Sequence, residues 1–147
     1  MEIRCASKQD SSISAELFYH MWNSQPLQEL KEELEEYICG SDHAVFLAYD
    51  GETPVAVAQC SLRRDYVEGT DSSPVGYLEG VFVLEGYRRQ GIGRELCRIC
   101  EDWAVQKGCR EFASDCTWNN EESRRFHLHT GFSEAGRIIC FVKPLRR

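Results

Sequence analysis

The chain has 147 residues, 42% of them hydrophobic, and a formal charge of −7. That length suits one domain with its own core, and the apolar content argues against a disordered chain. The acidic balance argues against a nucleic-acid binder, which needs a basic face; no run approaches the ~20 apolar residues of a membrane span, and the opening Met1-Glu2-Ile3-Arg4 lacks the apolar core of a secretory signal, so a cytoplasmic protein is expected.

Residues 2–6 read as a short strand. Residues 12–23 read as a helix with Leu17, Phe18, Met21 and Trp22 on one side, broken at Ser24 to Pro26. Leu27, Leu30, Leu34 and Ile38 recur at helical spacing, with Gly40 as a stop signal. The run Glu29 to Glu36 supplies five acids and reads as the solvated face of that helix. The period then changes. His43 to Tyr49 and Val55 to Leu62 read as strands, with a hairpin connection at Asp50-Gly51.

Arg64 to Pro74 is loop-like, and Gly76 to Leu84 reads as a buried strand. Ile92 to Lys107 predicts a helix with Leu96, Cys100, Trp103 and Ala104 inward, ended by Gly108. Strand Glu111 to Thr117, helix Asn120 to Thr130 with Gly131 as its stop, and strand Arg137 to Val142 follow. The order predicts a mixed α/β (α+β) fold: one central, mostly antiparallel sheet flanked by helices, in a single domain over 1–147.

Eight cysteines, at 5, 39, 60, 97, 100, 109, 116 and 140, suit a disulfide framework only in a secreted chain. Cys97 and Cys100 form a CxxC, but no second pair follows at zinc-ligand spacing, and the pair lies inside a predicted helix rather than at its start. Reduced packing cysteines and no metal site are expected.

The most informative segment is Val81-Phe82-Val83-Leu84-Glu85-Gly86-Tyr87-Arg88-Arg89-Gln90-Gly91-Ile92-Gly93-Arg94. A buried strand runs into a basic, glycine-containing turn that opens a helix. Free N–H groups and the dipole at a helix N-terminus bind phosphates, and glycine lets the anion approach the backbone. Position 96 is Leu, so the dinucleotide GxGxxG fails, and no Gly-Lys-Ser/Thr follows as a P-loop requires.

Arg88-Arg89-Gln90-Gly91-Ile92-Gly93 resembles the acyl-CoA signature Arg/Gln-x-x-Gly-x-Gly/Ala of the GNAT superfamily of N-acetyltransferases, and the resemblance covers nearly the whole chain. It implies acetyl-CoA as co-substrate, with the amides from Arg89 to Arg94 on the pyrophosphate and Val81, Phe82 and Val83 beside the pantetheine arm. It implies that Asn120 hydrogen-bonds the cofactor. It also implies that position 127, usually Tyr and here His127, protonates the departing thiolate. An imidazolium can donate that proton.

Glu79 lies inside the otherwise apolar strand and Asp115 at the end of its neighbour. A buried carboxylate needs a partner, and a structural arginine explains one such residue; two on adjacent strands beside an acyl-CoA turn favour an acidic pocket. The stretches 65–70, 73–80 and 111–115 resemble the aminoglycoside 6′-N-acetyltransferases. This resemblance implies that Trp22, Tyr66, Glu79 and Asp115 contact an aminocyclitol antibiotic and that the protein is a homodimer. Carboxylates for ammonium groups and aromatic faces for sugar rings suit such a polycation.

The expected reaction is direct acetyl transfer in a ternary complex. Asp115, helped by Glu79, is the candidate base, and a backbone N–H near Val83 would polarise the thioester. Two alternatives stand beside it: an acetyltransferase for another polyamine or a protein amine, and a non-catalytic module that binds acetyl-CoA or drug.

Overall fold

In the computed structural model, which describes residues 1–146, the described chain divides into two compact units, Met1–Asp115 and 116–146.

The first unit carries five strands: β1 (Glu2–Cys5), β2 (His43–Asp50), β3 (Thr53–Arg63), β4 (Val75–Val83) and β5 (Phe112–Ser114). They lie in chain order in one sheet. The first four pair antiparallel, and β4 pairs parallel with β5. Asp50 opposes Thr53, which leaves a two-residue turn, and Gly51 at its first position has φ +63°, a conformation that L side chains rarely adopt.

Helices α1 (Ser11–Tyr19) and α2 (Leu27–Cys39) cover one face of the sheet. Leu17, Phe18, Leu30 and Leu34 pack there with Val45, Leu47 and Val57. Alternation turns the other residues of β2 and β3 to the opposite face, where α3 (Ile92–Gln106) buries Leu96, Cys97, Cys100 and Ala104. Cys100 lies beside Cys60 of β3 there. Close approach of α3 to β4 requires Gly76: a Cβ would stand 2.5 Å from Ala104 Cβ and 2.7 Å from the Phe112 ring.

Two expectations need correction in this unit. The first helix runs over Ser11–Tyr19 and stops short of residue 23; a 3₁₀ turn (Lys8–Asp10) precedes it, and Asp10 ties that turn down. Asp10 takes a bidentate fork from Arg4 (both contacts 3.1 Å) and bonds from Ser7. Met21 and Trp22 therefore lie beyond the helix. The strand expected over 111–117 keeps only Phe112–Ser114. As expected, no disulfide joins the eight cysteines, and Cys60, Cys97 and Cys100 are fully buried.

The second unit contains α4 (Glu121–His129). Its N-cap is Asn120, whose side-chain oxygen accepts from the Ser123 N–H at 3.1 Å. Thr130 caps the other end, and Gly131 with φ +101° turns the chain away. The strand expected over Arg137 to Val142 does not form; this stretch has no regular secondary structure, and Ile138, Ile139, Phe141 and Val142 are 71% to 95% exposed. A β-rich composition alone does not make a strand, because a strand without a neighbour leaves its backbone groups unpaired. No helix among the described residues is long and apolar enough to cross a membrane.

Candidate active site

The turn after β4 supplies a row of open donors. Glu85–Tyr87 forms a short 3₁₀ turn, Arg89 takes φ 64°, and Gly91 with φ +83° is the N-cap of α3. The first bond of the helix runs from the Glu95 N–H to the Gly91 carbonyl at 3.0 Å. Among the described residues, the backbone N–H groups of Arg89, Gln90, Gly91, Ile92, Gly93 and Arg94 make no hydrogen bond. Six open donors at the positive end of a 15-residue helix form an anion cradle. A Cβ on Gly91 would meet nothing within 4 Å, so the space in front of the turn is clear.

The Arg88 side chain is held at the end of β4. Its Nε donates to the Val83 carbonyl at 2.8 Å, and its guanidinium lies 5.5 Å from the Phe82 ring centre. Phe82 is stacked on its other neighbour, His20, at 5.0 Å. Arg88 thus fixes the turn to the end of the strand.

β4 and β5 pair only over Gly76–Leu78, so from Glu79 to Val83 the strand has β3 on one edge and an open edge on the other. The Leu84 N–H bonds to Val55 on the β3 side, and alternation turns the backbone groups of Val81 and Val83 to the open edge. Val81, Phe82 and Val83 are thus a half-paired strand that leads into the anion cradle.

Glu79 occupies a special position on that strand. Gln59 opposes Gly80 and Cys60 opposes Leu78, so Glu79 is the extra residue of a β-bulge. A bulge breaks the alternation and re-aims the side chain. The carboxylate turns to two residues of β3. Arg63 forks it, with Nη2 to Oε1 at 2.8 Å and Nε to Oε2 at 3.1 Å, and the Ser61 hydroxyl donates to Oε2. The arginine partner weighed for a lone strand carboxylate is therefore present, and it is Arg63.

Asp115 reaches the same face by register. Tyr77 pairs with Ala113, and Asp115 lies two residues further on. The Tyr77 hydroxyl donates to Asp115 Oδ2. Burial, with the bond to Asp115 and its charge, pushes the Tyr77 hydroxyl well above its ordinary value, so it remains a donor. The Arg63 guanidinium lies over the Tyr77 ring, 3.4 Å from its centre. Burial pulls that guanidinium down, but the Glu79 bonds and charge outweigh burial and hold it above its ordinary value.

Trp22 packs against the same strand at Gly80. Its ring stacks on Phe18 at 4.3 Å and fills the space over Gly80, where a Cβ would stand 2.4 Å from Trp22 Cζ2. Tyr66 lies in the 64–74 loop and is 77% exposed, with its hydroxyl 3.5 Å from Glu68. Its neighbour Val67 packs with Val75 and Tyr77, which anchors the loop beside β4.

In the second unit, His127 Nδ1 lies 2.7 Å from the Ser123 carbonyl. A carbonyl only accepts, so Nδ1 carries a proton, and a proton on Nε2 as well requires the imidazolium. The ring is packed edge-on against Phe126 and Phe132. Asn120 spends its Oδ1 on the helix cap, which leaves its Nδ2 for any ligand. Among the described residues, no three His, Cys, Asp or Glu side chains cluster as a metal site.

The sequence reading did not single out Ser61, Arg63 or Tyr77. A period-two signal was present: Gln59, Ser61 and Arg63 alternate with apolar residues along β3, on the face that Tyr77 shares.

Comparison with known proteins agrees with this geometry. The family model for the acetyltransferase (GNAT) family matches residues 11–132. The aminoglycoside N(6′)-acetyltransferase type 1 of Stenotrophomonas maltophilia is 40% identical over 147 aligned residues, covering 97% of this chain and 93% of the relative. The solved structure of aminoglycoside N-acetyltransferase AAC(6′)-Iy in complex with CoA superposes with a TM-score of 0.94 at 35% identity, covering 98% of this chain and 95% of the other. The structure of AAC(6′)-Iy with the bisubstrate analogue CoA-S-monomethyl-acetylneamine gives 0.93 at 35% identity, covering 98% of both chains. The anion cradle, the half-paired strand that leads into it and the agreement over nearly the whole length have one explanation: the chain belongs to the acetyltransferase (GNAT) family and has its fold.

Proposed function

We propose that the protein transfers the acetyl group of acetyl-CoA to the 6′-amine of aminoglycoside antibiotics, and so confers resistance to them. The observation that carries this reading is the convergence of Glu79 and Asp115 on one sheet face, at the open edge of β4 that leads to the cradle. Relatives named for the same activity over nearly their full length support it. The family match from 11 to 132 crosses the boundary between the two units and supports one acetyltransferase domain over 1–147.

Acetyl-CoA, when bound, supplies an activated thioester. The N–H groups of Arg89 to Arg94 hold its pyrophosphate. The outward N–H groups of Val81 and Val83 pair with the pantetheine arm, and the Val83 N–H polarises the thioester carbonyl. Asp115 orients the amine and takes its proton through Oδ1, the oxygen that Tyr77 leaves open. Glu79 supports it electrostatically. Trp22 and Tyr66 offer aromatic faces to the sugar rings. Asn120 meets the cofactor through Nδ2, and His127 gives the thiolate its proton.

We place the enzyme in the cytoplasm, where acetyl-CoA is available, and propose a homodimer. The exposed apolar stretch Ile138, Ile139, Phe141 and Val142 supports the dimer, because such patches mark association surfaces.

Thiol release from acetyl-CoA with kanamycin tests the reading, beside a kanamycin-like compound with a 6′-hydroxyl in place of the amine. Turnover is expected with the amine alone. Asp115→Asn should lower kcat/KM by about tenfold to a hundredfold, the loss of one charge-assisted contact, while acetyl-CoA binding stays unchanged. Equal acetylation of both compounds would reject the 6′ assignment. Turnover of a polyamine and of no aminoglycoside would reject the substrate class.

A further inference from the structure

We propose that Arg63 sets the charge of the acidic site: it neutralises Glu79, and Asp115 is then the one carboxylate left to receive a substrate ammonium group. The inference rests on the substrate reading above and assigns the substrate ammonium group to Asp115 alone.

The hydrogen-bond count carries it. A carboxylate oxygen has two acceptor positions. Glu79 Oε2 takes Arg63 Nε and the Ser61 hydroxyl and is full; Oε1 takes Arg63 Nη2. Asp115 has the neutral Tyr77 hydroxyl on Oδ2, and no cation pairs with it among the described residues. Arg63 stands between the two, forked onto Glu79 and lying over the ring of the tyrosine that holds Asp115. The adjacent Arg64 adds nothing to this balance, because Asp42 takes it at 2.6 Å. Two carboxylates and one guanidinium therefore carry a net charge of −1, and that charge lies on Asp115. A guanidinium fork is the strongest geometry an arginine makes with a carboxylate, so an incoming primary ammonium does not displace it readily.

Charge arithmetic gives a rescue test. Glu79→Gln leaves Arg63 unbalanced and brings the trio to zero. Arg63→Gln brings it to −2. The double variant returns it to −1. Calorimetric titration of the full chain with kanamycin, in the presence of CoA, reads the consequence without turnover. Glu79→Gln should weaken kanamycin by about tenfold to a hundredfold. Arg63→Gln should tighten it. The double variant should bind within about threefold of the wild type, a strong departure from additivity.

Thermal melting and acetyl-CoA binding report whether each variant is folded, and Arg63→Met in place of Gln keeps an apolar cover over Tyr77 if the first variant is not. A double variant as weak as Glu79→Gln alone would overturn the inference, as would an Arg63 variant weakened like Glu79→Gln. The underlying reading fails separately: wild type that does not bind kanamycin, or Asp115→Asn that binds it normally, rejects the acidic site itself and the inference with it.

Discussion

Gly91 and Gly108 make a matched pair at the two ends of α3. Gly91 has φ +83° and Gly108 has φ +89°, and a Cβ added at either meets nothing within 4 Å. Valine at either position therefore meets no steric neighbour and carries a backbone cost only. A left-handed conformation costs an L-residue roughly 1–2 kcal/mol. At about 2–4 °C per kcal/mol for a chain of this size, each variant should melt about 2–8 °C below the wild type. The two variants should separate on cofactor. Gly91 lies in the middle of the six open N–H groups, so its side chain stands where the pyrophosphate must approach. Losing one charge-assisted phosphate contact is worth about 1.5–3 kcal/mol, or roughly tenfold to a hundredfold in affinity. Calorimetry with acetyl-CoA should thus show a loss of that size for Gly91→Val and none for Gly108→Val. If the two folded variants bind acetyl-CoA equally well, the cradle at 89–94 is not the pyrophosphate site.

Asp10 gives a pH-dependent stability. Burial pushes its carboxyl up, but the Ser7 bonds and the Arg4 fork outweigh burial and hold it below the ordinary value. A depressed carboxyl stabilises the fold above its unfolded value, about 3.9, and the contribution is lost as pH falls further. Asp10→Asn should cost about 1.5–3 kcal/mol near neutral pH, with the gap to wild type closing below about pH 4 in denaturant titrations; a constant gap down to pH 2 would contradict the assignment. Cys100 is fully buried, and the adjacent Cys60, then burial, push its thiol well above the ordinary range. It should resist a thiol reagent until the protein unfolds, while exposed Cys39 reacts at once, with peptide mapping as the readout; equal rates would refute the packing role. Gly80→Ala puts a methyl 2.4 Å from the Trp22 ring and must displace it. Aminoglycoside affinity should then fall by about tenfold with acetyl-CoA binding unchanged, consistent with roughly 1–3 kcal/mol of overpacking at the substrate side; unchanged affinity would remove Trp22 from the site.

The elements legible in the sequence are those whose own residues decide them. Leu30 and Leu34 at helical spacing, the apolar runs of β2 and β3, and Gly108 after α3 each act locally, and the structure follows them. The misreadings need a distant partner to be understood. Met21 and Trp22 continue the apolar period of α1, yet the helix ends at Tyr19 and Trp22 turns to cover Gly80. The stretch from Arg137 to Val142 has strand composition, but it takes no regular secondary structure, because a strand needs pairing that its own residues do not supply.

The site divides along the same line. A turn with Gly91 and Gly93 before an amphipathic helix announces an anion cradle from local chemistry, because free N–H groups at a helix start follow from the backbone itself. Glu79 and Asp115 were visible as carboxylates out of place, but what they do depends on pairing. The bulge at Glu79 arises from the register between β3 and β4, two strands whose intervening loop runs from Arg64 to Pro74. With regular pairing from Cys60 onward, alternation would have aimed Glu79 to the face opposite Ser61 and Arg63, where no arginine fork forms. One extra residue in β4 therefore brings Glu79 onto Arg63, and the three-residue strand β5 brings Asp115 onto Tyr77. The charge of the site is thus a property of strand register, and a one-residue deletion in β4 that removed the bulge would abolish the Arg63 fork while leaving the cradle at 89–94 in place.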